Sequence, residues 1–340
     1  MKKKITRGVL LAITMLIFLV VVCFYWVFLS KNINKTQSLI IIQPKSTFEN
    51  LIDTLSSHNV LKSEKSFKIA ARLLKYEKIR VGKYNISDCS TNLEIVRLLR
   101  RGQHYPIKFT FNNIRTKRQF IDKVGENFFF NNSDLENLLN DDEFLSKYNQ
   151  NTNTAVTLFI PNTYEIYYDI TAEDFVDFMY KQYVKFWNKE RKKLAEEIGL
   201  SETEISTLAS IVEEENSRPV EKSIIAGLYI NRLRKNMLLQ SDPTIKFAIG
   251  DFSRQRILNE DLKIDSPYNT YLYCGLPPGP IRIPEASTMD SVLHYTHHNY
   301  LYMCAKEDFS GYHNFTESAT VHIYNAAKYR AALNKKRIFK

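Results

Sequence analysis

The sequence predicts an α+β protein built from a single N-terminal transmembrane helix, a small α+β module, and a larger mixed α/β domain with Pro/Gly-rich loops. Three observations predict this fold class. One long apolar run stands near the N-terminus. Helical and alternating apolar patterns then succeed one another over residues 38–111. Finally, seven of the ten prolines and five of the ten glycines fall within residues 219–311.

Composition limits the class of protein. The 340 residues are 44% hydrophobic and 25% charged, which excludes a disordered or collagen-like chain. Four of the basic residues lie in the first 29 positions, so the rest of the chain carries 43 basic and 37 acidic side chains. That surplus is too small over such a length for a nucleic-acid-binding protein, and no nucleic-acid partner is predicted.

The N-terminus predicts a membrane anchor. Residues 9–29 are apolar except for Thr14, and such a run can cross a hydrocarbon core of about 30 Å as a helix. Four basic residues precede it, so residues 1–8 are predicted to be a cytoplasmic tail and the rest of the chain to lie outside. A cleaved signal peptide is the alternative, but it calls for a shorter apolar region and a small-residue cleavage site. We therefore expect a single-pass protein of the cytoplasmic (inner) membrane.

Residues 38–111 show the pattern of a small α+β module. Strands are expected at 38–42, 81–86 and 107–111, and helices at 48–55, 67–74 and 90–101. Ser46 and Ser63 are predicted helix caps. The module is either a structural spacer or a glycan-binding unit, and the pattern alone favours the spacer.

The remaining residues divide into two parts. Residues 112–199 are predicted to be mainly helical, with helical spacing over 118–130, 133–148 and 172–198 and a solvated charged face. Residues 200–335 hold most of the Pro and Gly, which fix loops between helices. Binding and catalytic groups tend to lie on such loops, so function is expected in this part.

A helix with three consecutive acids opens this last part. Ser201 and Glu204 have the spacing of a capping box, so a helix begins there. At about 100° per residue, one face of this helix is apolar and contains Glu215. Glu213 and Glu214 point away from that face, and Glu214 is expected at the surface.

Placement on an apolar face makes Glu215 a catalytic candidate. A carboxylate that loses hydration has a raised pKa, which suits a proton donor. The alternative is that the helix frays before Asn216 and that Glu215 turns into water.

Two loop segments carry candidate ligands for a sugar. Amide, hydroxyl, carboxylate and phenol groups match the hydroxyls and N-acetyl groups of a glycan, and aromatic rings stack on pyranose faces. The candidate substrate-binding residues are Gln240, Asp242, Thr244, Tyr268, Asn269 and Thr270. Ordinary turn formation is the alternative, since Asp-Pro and Asn-Thr also suit turns. The histidines and cysteines show no metal-ligand spacing, so neither a metal site nor a cofactor is predicted.

Five segments in the last part resemble the successive signatures of the endolytic murein transglycosylases, the MltG or YceG-like family. They are LASIVEEE at 208–215, AGLYINRLR at 226–234, LQSDPT at 239–244, YNTY at 268–271 and GLPPGPI at 275–281. The family motif A-S-I-[IV]-E-x-E places its catalytic acid at Glu215 and its first acid at Glu213. One departure lies at 156–164, where VTLFIPNTY, with Asn162, stands for the family's usual EGYLFPDTY.

The resemblance implies a domain order and an activity. Residues 38–111 become a LysM-like module, 112–199 the connecting part of the YceG-like region, and 200–335 the catalytic domain. The implied enzyme is a membrane-anchored lytic transglycosylase, a carbon–oxygen lyase that cleaves the MurNAc–GlcNAc bond of nascent peptidoglycan strands and leaves 1,6-anhydro-MurNAc ends. Glu215 would act first as acid and then as base. The implied partners are peptidoglycan, the cytoplasmic membrane and, as candidates, peptidoglycan synthases.

Two alternatives stay open at the level of the sequence. A muramidase-type hydrolase would use water in place of the sugar's own hydroxyl and give a reducing end. A non-catalytic glycan-binding scaffold of a wall-synthesis complex would need no acid at position 215.

Overall fold

The computed structural model describes residues 2–34, 38–102, 104–216, 218–254 and 257–336, with side chains from residue 8 onward. The helices are α1 Lys2–Phe24, α2 Phe48–Ser57, α3 Glu64–Leu73, α4 Asn92–Arg101, α5 Lys117–Gly125, α6 Asn132–Leu139, α7 Asp142–Ser146, α8 Ala172–Phe186, α9 Lys189–Ile198, α10 Glu202–Glu215, α11 Pro219–Arg234, α12 Asp242–Ile249, α13 Ala286–Leu293 and α14 Ala319–Lys335. The strands are β1 Leu39–Ile42, β2 Gly82–Asn85, β3 Ile107–Phe111, β4 Asn162–Ile166, β5 Tyr302–Ala305 and β6 His313–Thr316. A π-helical turn, Tyr25–Leu29, continues α1.

The chain combines helices with small sheets, as the sequence predicted. Within the described residues the strands pair as β1–β2, β3–β4 and β5–β6. The first and last pairs are antiparallel, with Leu39 opposite Asn85 and Tyr302 opposite Thr316. The mixed helix and sheet content of the predicted fold class is therefore confirmed.

The chain folds as two compact units. Unit 1 contains residues 1–109, 127–130 and 164–171, and unit 2 contains residues 110–126, 131–163 and 172–340. The predicted division at residues 111 and 199 stays a prediction.

The apolar run at the N-terminus forms a helix of the expected length. Gly8–Leu29 has a mean hydropathy of 2.8 over its most apolar window, and none of that window is buried in the protein. Twenty-two helical residues are enough to cross a bilayer.

The core of unit 1 lies between the β1–β2 pair and helices α2, α3 and α4. The start of α2 differs from the sequence prediction, since the cap is Thr47 and not Ser46. The Thr47 hydroxyl accepts from the Asn50 backbone N–H, and the Asn50 side chain accepts from the Thr47 backbone N–H. This reciprocal pair is a capping box that begins one residue later than the predicted cap at Ser46. Ser63 caps α3 as predicted.

The helical stretches of the middle part are shorter than the sequence suggested. The stretch 118–130 ends early as α5, 133–148 divides into α6 and α7, and 172–198 divides into α8 and α9. Asp141 and Asn188 each accept hydrogen bonds from backbone N–H groups at the start of the following helix. These caps begin new helices at places where the apolar spacing alone predicted one continuous helix.

Helix α10 lies at the centre of unit 2 and packs against α9, α11, α12 and α13. Residues 205–212 are all buried, so the helix is enclosed on every side and not only along the predicted apolar face. Small residues make this possible. The Ser210 hydroxyl, for example, accepts from the Ile281 backbone N–H at 3.0 Å. The segment before α13 thus lies directly on α10.

Candidate functional site

The position of Glu215 follows from the length of α10. Ser201 and Glu204 form the predicted capping box, which fixes the start of the helix. The helix continues through Glu215, and the Asn216 backbone N–H still donates to the Val212 carbonyl. The helix therefore holds Glu215 in place, and the predicted alternative of a frayed end is wrong.

Two hydroxyl groups bind the Glu215 carboxyl group. The Tyr229 hydroxyl donates to Oε1 at 2.5 Å, and the Ser241 hydroxyl donates to the same oxygen at 2.6 Å. Within the described part of the chain, no hydrogen bond reaches Oε2. One oxygen is thus fixed in place while the other is available to a substrate.

Burial raises the pKa of Glu215 above its ordinary value, because the ionised form loses hydration. The hydrogen bonds from Ser241 and Tyr229 favour the ionised form and act in the opposite direction, while the nearby Asp242 carboxylate adds to the rise. Burial also raises the pKa of Tyr229, so its hydroxyl keeps its proton and remains a donor. The site therefore favours a protonated Glu215 flanked by neutral hydroxyls.

Elements on either side of α10 supply these hydroxyls. Tyr229 is buried in the middle of α11. Ser241 lies just before α12, where Pro243 occupies the first turn. The Thr270 hydroxyl accepts from the Ser241 backbone N–H at 3.0 Å, and the Gln240 backbone N–H donates to the Thr270 carbonyl. The loop at 268–271 thus fixes the loop that carries Ser241.

Glu215 lies in the wall of a cavity of about 410 Å³. The polar side chains that share this cavity with it are Tyr229, Arg232, Gln240, Asp242, Tyr271, His313 and His322. The Tyr271 hydroxyl donates to Asp242. The Arg232 guanidinium donates to the Leu238 and Leu239 carbonyls and to Gln240, and so holds the edge of the cavity.

The structure separates the six predicted substrate-binding residues into two groups. Gln240 and Asp242 line the cavity together with Glu215. The other four are not among its lining residues: Thr244, Tyr268, Asn269 and Thr270.

Three of these four side chains are buried in loop contacts. Thr244 and Thr270 share a hydrogen bond at 2.8 Å. Asn269 donates to the Leu262 and Ile264 carbonyls and is fully buried. Their polar groups hold the loops in shape, which is the turn-forming role that the sequence had offered as the alternative.

Glu214 is not a free surface carboxylate, and that expectation is corrected. It forms a two-pronged pair with Arg115, at 2.9 and 3.0 Å, and also accepts from Arg282 at 2.7 Å. Glu213 lies 3.4 Å from Arg282 and accepts from the Glu285 backbone N–H. The sequence placed both acids correctly away from the apolar face but contained no sign of their arginine partners.

Glu221, a buried carboxylate, holds His313, which lines the cavity. Glu221 accepts from the His313 backbone N–H at 3.0 Å and lies 2.8 Å from its ring Nδ1. The Asn216 amide donates to the same carboxylate. These contacts attach the start of β6, and with it His313, to the end of α10.

The sequence reasoning missed Tyr229, Ser241, Tyr271, Arg232 and His313. Tyr229, Arg232 and Ser241 all lie inside segments that had been singled out, AGLYINRLR and LQSDPT. The two segments therefore pointed to the cavity, but the sequence did not indicate which of their residues line it. Within the described residues, no group of three or more His, Cys, Asp or Glu side chains is placed to hold a metal ion.

Comparison with known proteins gives consistent matches over most of the chain. A protein-family model described as the YceG-like family matches residues 40–328. A Bacillus subtilis protein named endolytic murein transglycosylase is 29% identical over 322 residues, which cover 89% of this chain and 88% of that protein. A Streptococcus pneumoniae protein of the same name is 25% identical over 76% of this chain. The match covers 52% of the length of that protein.

A solved structure extends the likeness to the fold. The crystal structure of a YceG-like protein from Listeria monocytogenes aligns with a TM-score of 0.56 at 25% identity. The alignment covers 84% of this chain and 97% of that one.

Proposed function

This chain belongs to the YceG-like family, and from that membership and the surroundings of Glu215 we propose that it is a lytic transglycosylase that cleaves peptidoglycan strands. The observation that carries the proposal is the state of Glu215: a half-buried carboxyl group at a cavity wall, held at one oxygen by two hydroxyls. The substrate class comes from the relatives, which are named endolytic murein transglycosylases.

In the first step Glu215 acts as a general acid. Its raised pKa favours the protonated carboxyl group, and the unengaged Oε2 carries the proton toward the glycosidic oxygen between MurNAc and GlcNAc. The C1–O bond breaks as that oxygen takes the proton. Negative charge then develops on the carboxylate, where the Tyr229 and Ser241 hydroxyls already donate to Oε1.

In the second step the same carboxylate acts as a base. It removes the proton from the C6 hydroxyl of the muramic acid, and that oxygen bonds to C1 to give the 1,6-anhydro end. The nucleophile belongs to the substrate, so attack is intramolecular and gains the advantage of proximity. One carboxylate that returns to its protonated form is then sufficient.

A specific observation supports the second candidate, a muramidase-type hydrolase. Hydrolytic glycosidases use two carboxyl groups, and Asp242 shares the cavity with Glu215. Its hydrogen bond from Tyr271 and its place on the cavity wall suit substrate binding equally well.

Product mass after incubation with uncrosslinked glycan separates the two candidates. The full chain is the right material, because Val27 and Phe28 are part of the core of unit 1. We expect anhydro ends, which weigh one water less than reducing ends. We also expect Asp242→Asn to keep the anhydro product at a rate reduced by about tenfold or less, which is the cost of one binding contact. Reducing ends that disappear in Asp242→Asn would establish the hydrolase. If neither product formed, the remaining interpretation would be a glycan-binding scaffold.

The proposal includes the place of the enzyme in the cell. Gly8–Leu29 spans the cytoplasmic membrane, and the basic residues before it keep the N-terminus in the cytoplasm. The active cavity then faces the wall outside. The pairing of β1 with β2 across α2 and α3 supports a LysM-like module in unit 1. A reporter enzyme fused after Lys340 should be active outside the cytoplasm only.

A further inference from the structure

The positive charge of the protein is concentrated in unit 1. After residue 30, unit 1 carries 15 Lys and Arg against eight Asp and Glu, whereas unit 2 carries 28 against 29. The excess of basic over acidic residues is small when averaged over the whole sequence, but nearly all of it lies in one compact unit. Such a surface attracts anionic partners.

The apolar helix is built into this unit. Val27 and Phe28, at its end, are buried in a cluster with Ala70. The Asn92 side chain, itself fully buried, donates to the Val27 carbonyl at 2.8 Å and to the Ser66 hydroxyl. The end of the helix is thus part of the fold of unit 1, with no flexible linker between them.

Aromatic residues mark the level at which the helix leaves the bilayer. Tyr25 and Trp26 are exposed, at 60% and 51%, and directly precede the buried pair. Tyrosine and tryptophan at the end of an apolar span prefer the headgroup layer. Because the next residues are already packed into unit 1, this unit begins at the level of the headgroups.

The path of the chain shows which side of unit 1 faces the membrane. Phe28 lies in the cluster against which Leu74 packs, at the C-terminal end of α3. Asn32 then binds Ser63 and Ser90, which stand just before α3 and α4. The chain therefore runs from the C-terminal end of α3 toward the N-terminal ends of both helices as it leaves the membrane. The C-terminal ends of α3 and α4 lie on the membrane side.

That side carries a cluster of exposed cations. Arg100 joins the two helix ends by donating to the Leu74 carbonyl at 3.2 Å, and the side chain of Arg80, from the loop before β2, lies directly against Gly102 at the end of α4. We call the cluster the basic end of unit 1. Its members, all exposed, are Arg72, Lys75, Lys78, Arg80, Arg97, Arg100 and Arg101. Beside them Leu73 exposes 61% of its surface.

We propose that the basic end of unit 1 binds the phosphate groups of anionic lipids around the membrane helix. This inference rests on the membrane-spanning role of Gly8–Leu29 in the proposed function. Lysine and arginine close to an anionic bilayer are attracted over about one Debye length, roughly 8–10 Å at physiological salt. Guanidinium groups match phosphate oxygens in pairs, and Leu73 reaches the apolar boundary. These contacts hold the basic end of unit 1 against the bilayer surface.

Lysine acetylation of the full chain in lipid nanodiscs tests this surface. One set of discs contains phosphatidylcholine alone, and the other contains equal parts phosphatidylcholine and phosphatidylglycerol. We expect Lys75 and Lys78, on the basic end, to react about threefold or more slowly in the anionic discs. Lys62 and Lys65, at the opposite end of α3, should react equally in both. Salt near 1 M, where the Debye length is about 3 Å, should remove the difference.

Two matched double variants locate the effect. Arg72→Gln with Arg101→Gln should reduce the protection of Lys75 and Lys78 by about half or more. Removal of two charges at the other end, by Lys62→Gln with Lys65→Gln, should leave it intact.

Three outcomes would overturn a part of this interpretation. Equal labelling in both discs rejects lipid binding. Protection that appears in phosphatidylcholine discs only when soluble poly(glycerol phosphate) is added assigns the surface to a soluble polyanion instead. Release of the whole chain from the discs by carbonate rejects the membrane anchor itself, which is a failure of the proposed function and not of the surface alone.

Discussion

The end of α10 carries three successive glutamates in two opposite environments. Among the residues that the structure describes, Glu215 meets two hydroxyls and no cation at hydrogen-bond distance. Glu214 and Glu213 meet the guanidinium groups of Arg115 and Arg282 on the other side of the helix. Residues of identical chemistry thus differ only by about 100° of rotation for each step.

The partners of the three carboxyl groups differ in kind. A guanidinium group offsets the lost hydration of a carboxylate ion by direct charge attraction. Hydroxyl donors in a buried site compensate less for lost hydration, so the pKa of Glu215 rises. Glu213 and Glu214 therefore tie α10 to the segments at Arg115 and Arg282, while Glu215, the proposed proton donor, lines a cavity.

The strongest test of this contrast is Glu215→Gln. The amide keeps the shape and can still accept from Tyr229 and Ser241, but it has no proton to transfer. General acid–base catalysis contributes about 10²–10⁴-fold, so formation of anhydro product should fall by at least the lower factor. The melting temperature should hold or rise, because a buried ionisable group has been replaced by a neutral one.

Glu213→Gln provides the comparison for that variant on the same helix. It removes a carboxylate that contacts Arg282 and not the cavity, so a modest loss is expected. If Glu213→Gln abolished product formation while Glu215→Gln remained active, the catalytic assignment would be wrong, although the reaction class could survive. If neither mattered, the chain would be a binding protein.

A smaller effect is expected when one of the two hydroxyl donors is removed. Ser241→Ala leaves Oε1 with Tyr229 alone. A hydrogen bond to a charged group is worth about 1.5–3 kcal/mol, and 1.4 kcal/mol corresponds to one pKa unit. The pKa of Glu215 should therefore rise further, and the alkaline limb of kcat/KM should move upward in pH. The rate at the optimum should fall by about tenfold, since the carboxylate formed in the first step is less stabilised.

The pH profile gives this test its specificity. Ser253→Ala, which removes an exposed hydroxyl bound to Asp251, is the control and should leave the profile in place. A lower rate with an unmoved alkaline limb would mean that Ser241 supports the loop and does not act on Glu215.

The sequence could predict the direction of the Glu215 side chain because that direction depends on local periodicity. Apolar spacing from Ile205 to Val212 and a capping box at Ser201 determine the direction of every side chain on the helix. The partners of Glu214 depend on distant parts of the chain. Arg115 stands 99 residues before it and Arg282 68 residues after it, and no local pattern connects them.

The loop residues show a different limit. An amide offers the same hydrogen-bonding groups in a turn as in a binding site, and so does a carboxylate. The sequence therefore made both Asn269 and Asp242 look suited to bind a sugar. Only packing separates them: Asn269 is fully buried and satisfied by backbone carbonyls, while Asp242 faces the cavity. Helix caps lie between these cases, since the start of α2 was predicted to within one residue.

On the ionic side of the helix, Glu214→Gln should affect stability more than activity. It leaves Arg115 and Arg282 without their shared carboxylate, and both Arg282 and Glu214 are largely buried, at 7% and 14% exposed. Loss of one partner of a buried pair costs about 3–5 kcal/mol, and the 39% exposure of Arg115 reduces this. We expect the free energy of unfolding to fall by about 1–3 kcal/mol in denaturant titrations. Activity of the folded fraction should change by less than about threefold, because Glu214 does not line the cavity.

A double variant separates two contributions to the loss of stability: the lost ion-pair attraction and the cost of leaving an arginine unpaired. Glu214→Gln combined with Arg115→Gln removes one unpaired cation and should recover part of the stability. Full stability of the single variant would mean that the ion pairs contribute nothing measurable to folding.

The smallest expected effect is a pH-dependent difference in stability between the native protein and Glu215→Gln. Because the pKa of Glu215 is raised in the folded state, folding favours its protonated form. This contribution to stability is fully present below the pKa of an unfolded glutamate, about 4.3, and is lost as pH rises through the folded pKa. The glutamine variant has no such loss. The difference in melting temperature, variant minus native, should therefore grow with pH above about 4.3 and level off beyond the folded pKa. Thermal unfolding of both proteins in a series of buffers measures this difference. A constant difference across the series would mean that Glu215 is ionised throughout, and it would remove the proton from the proposed first step.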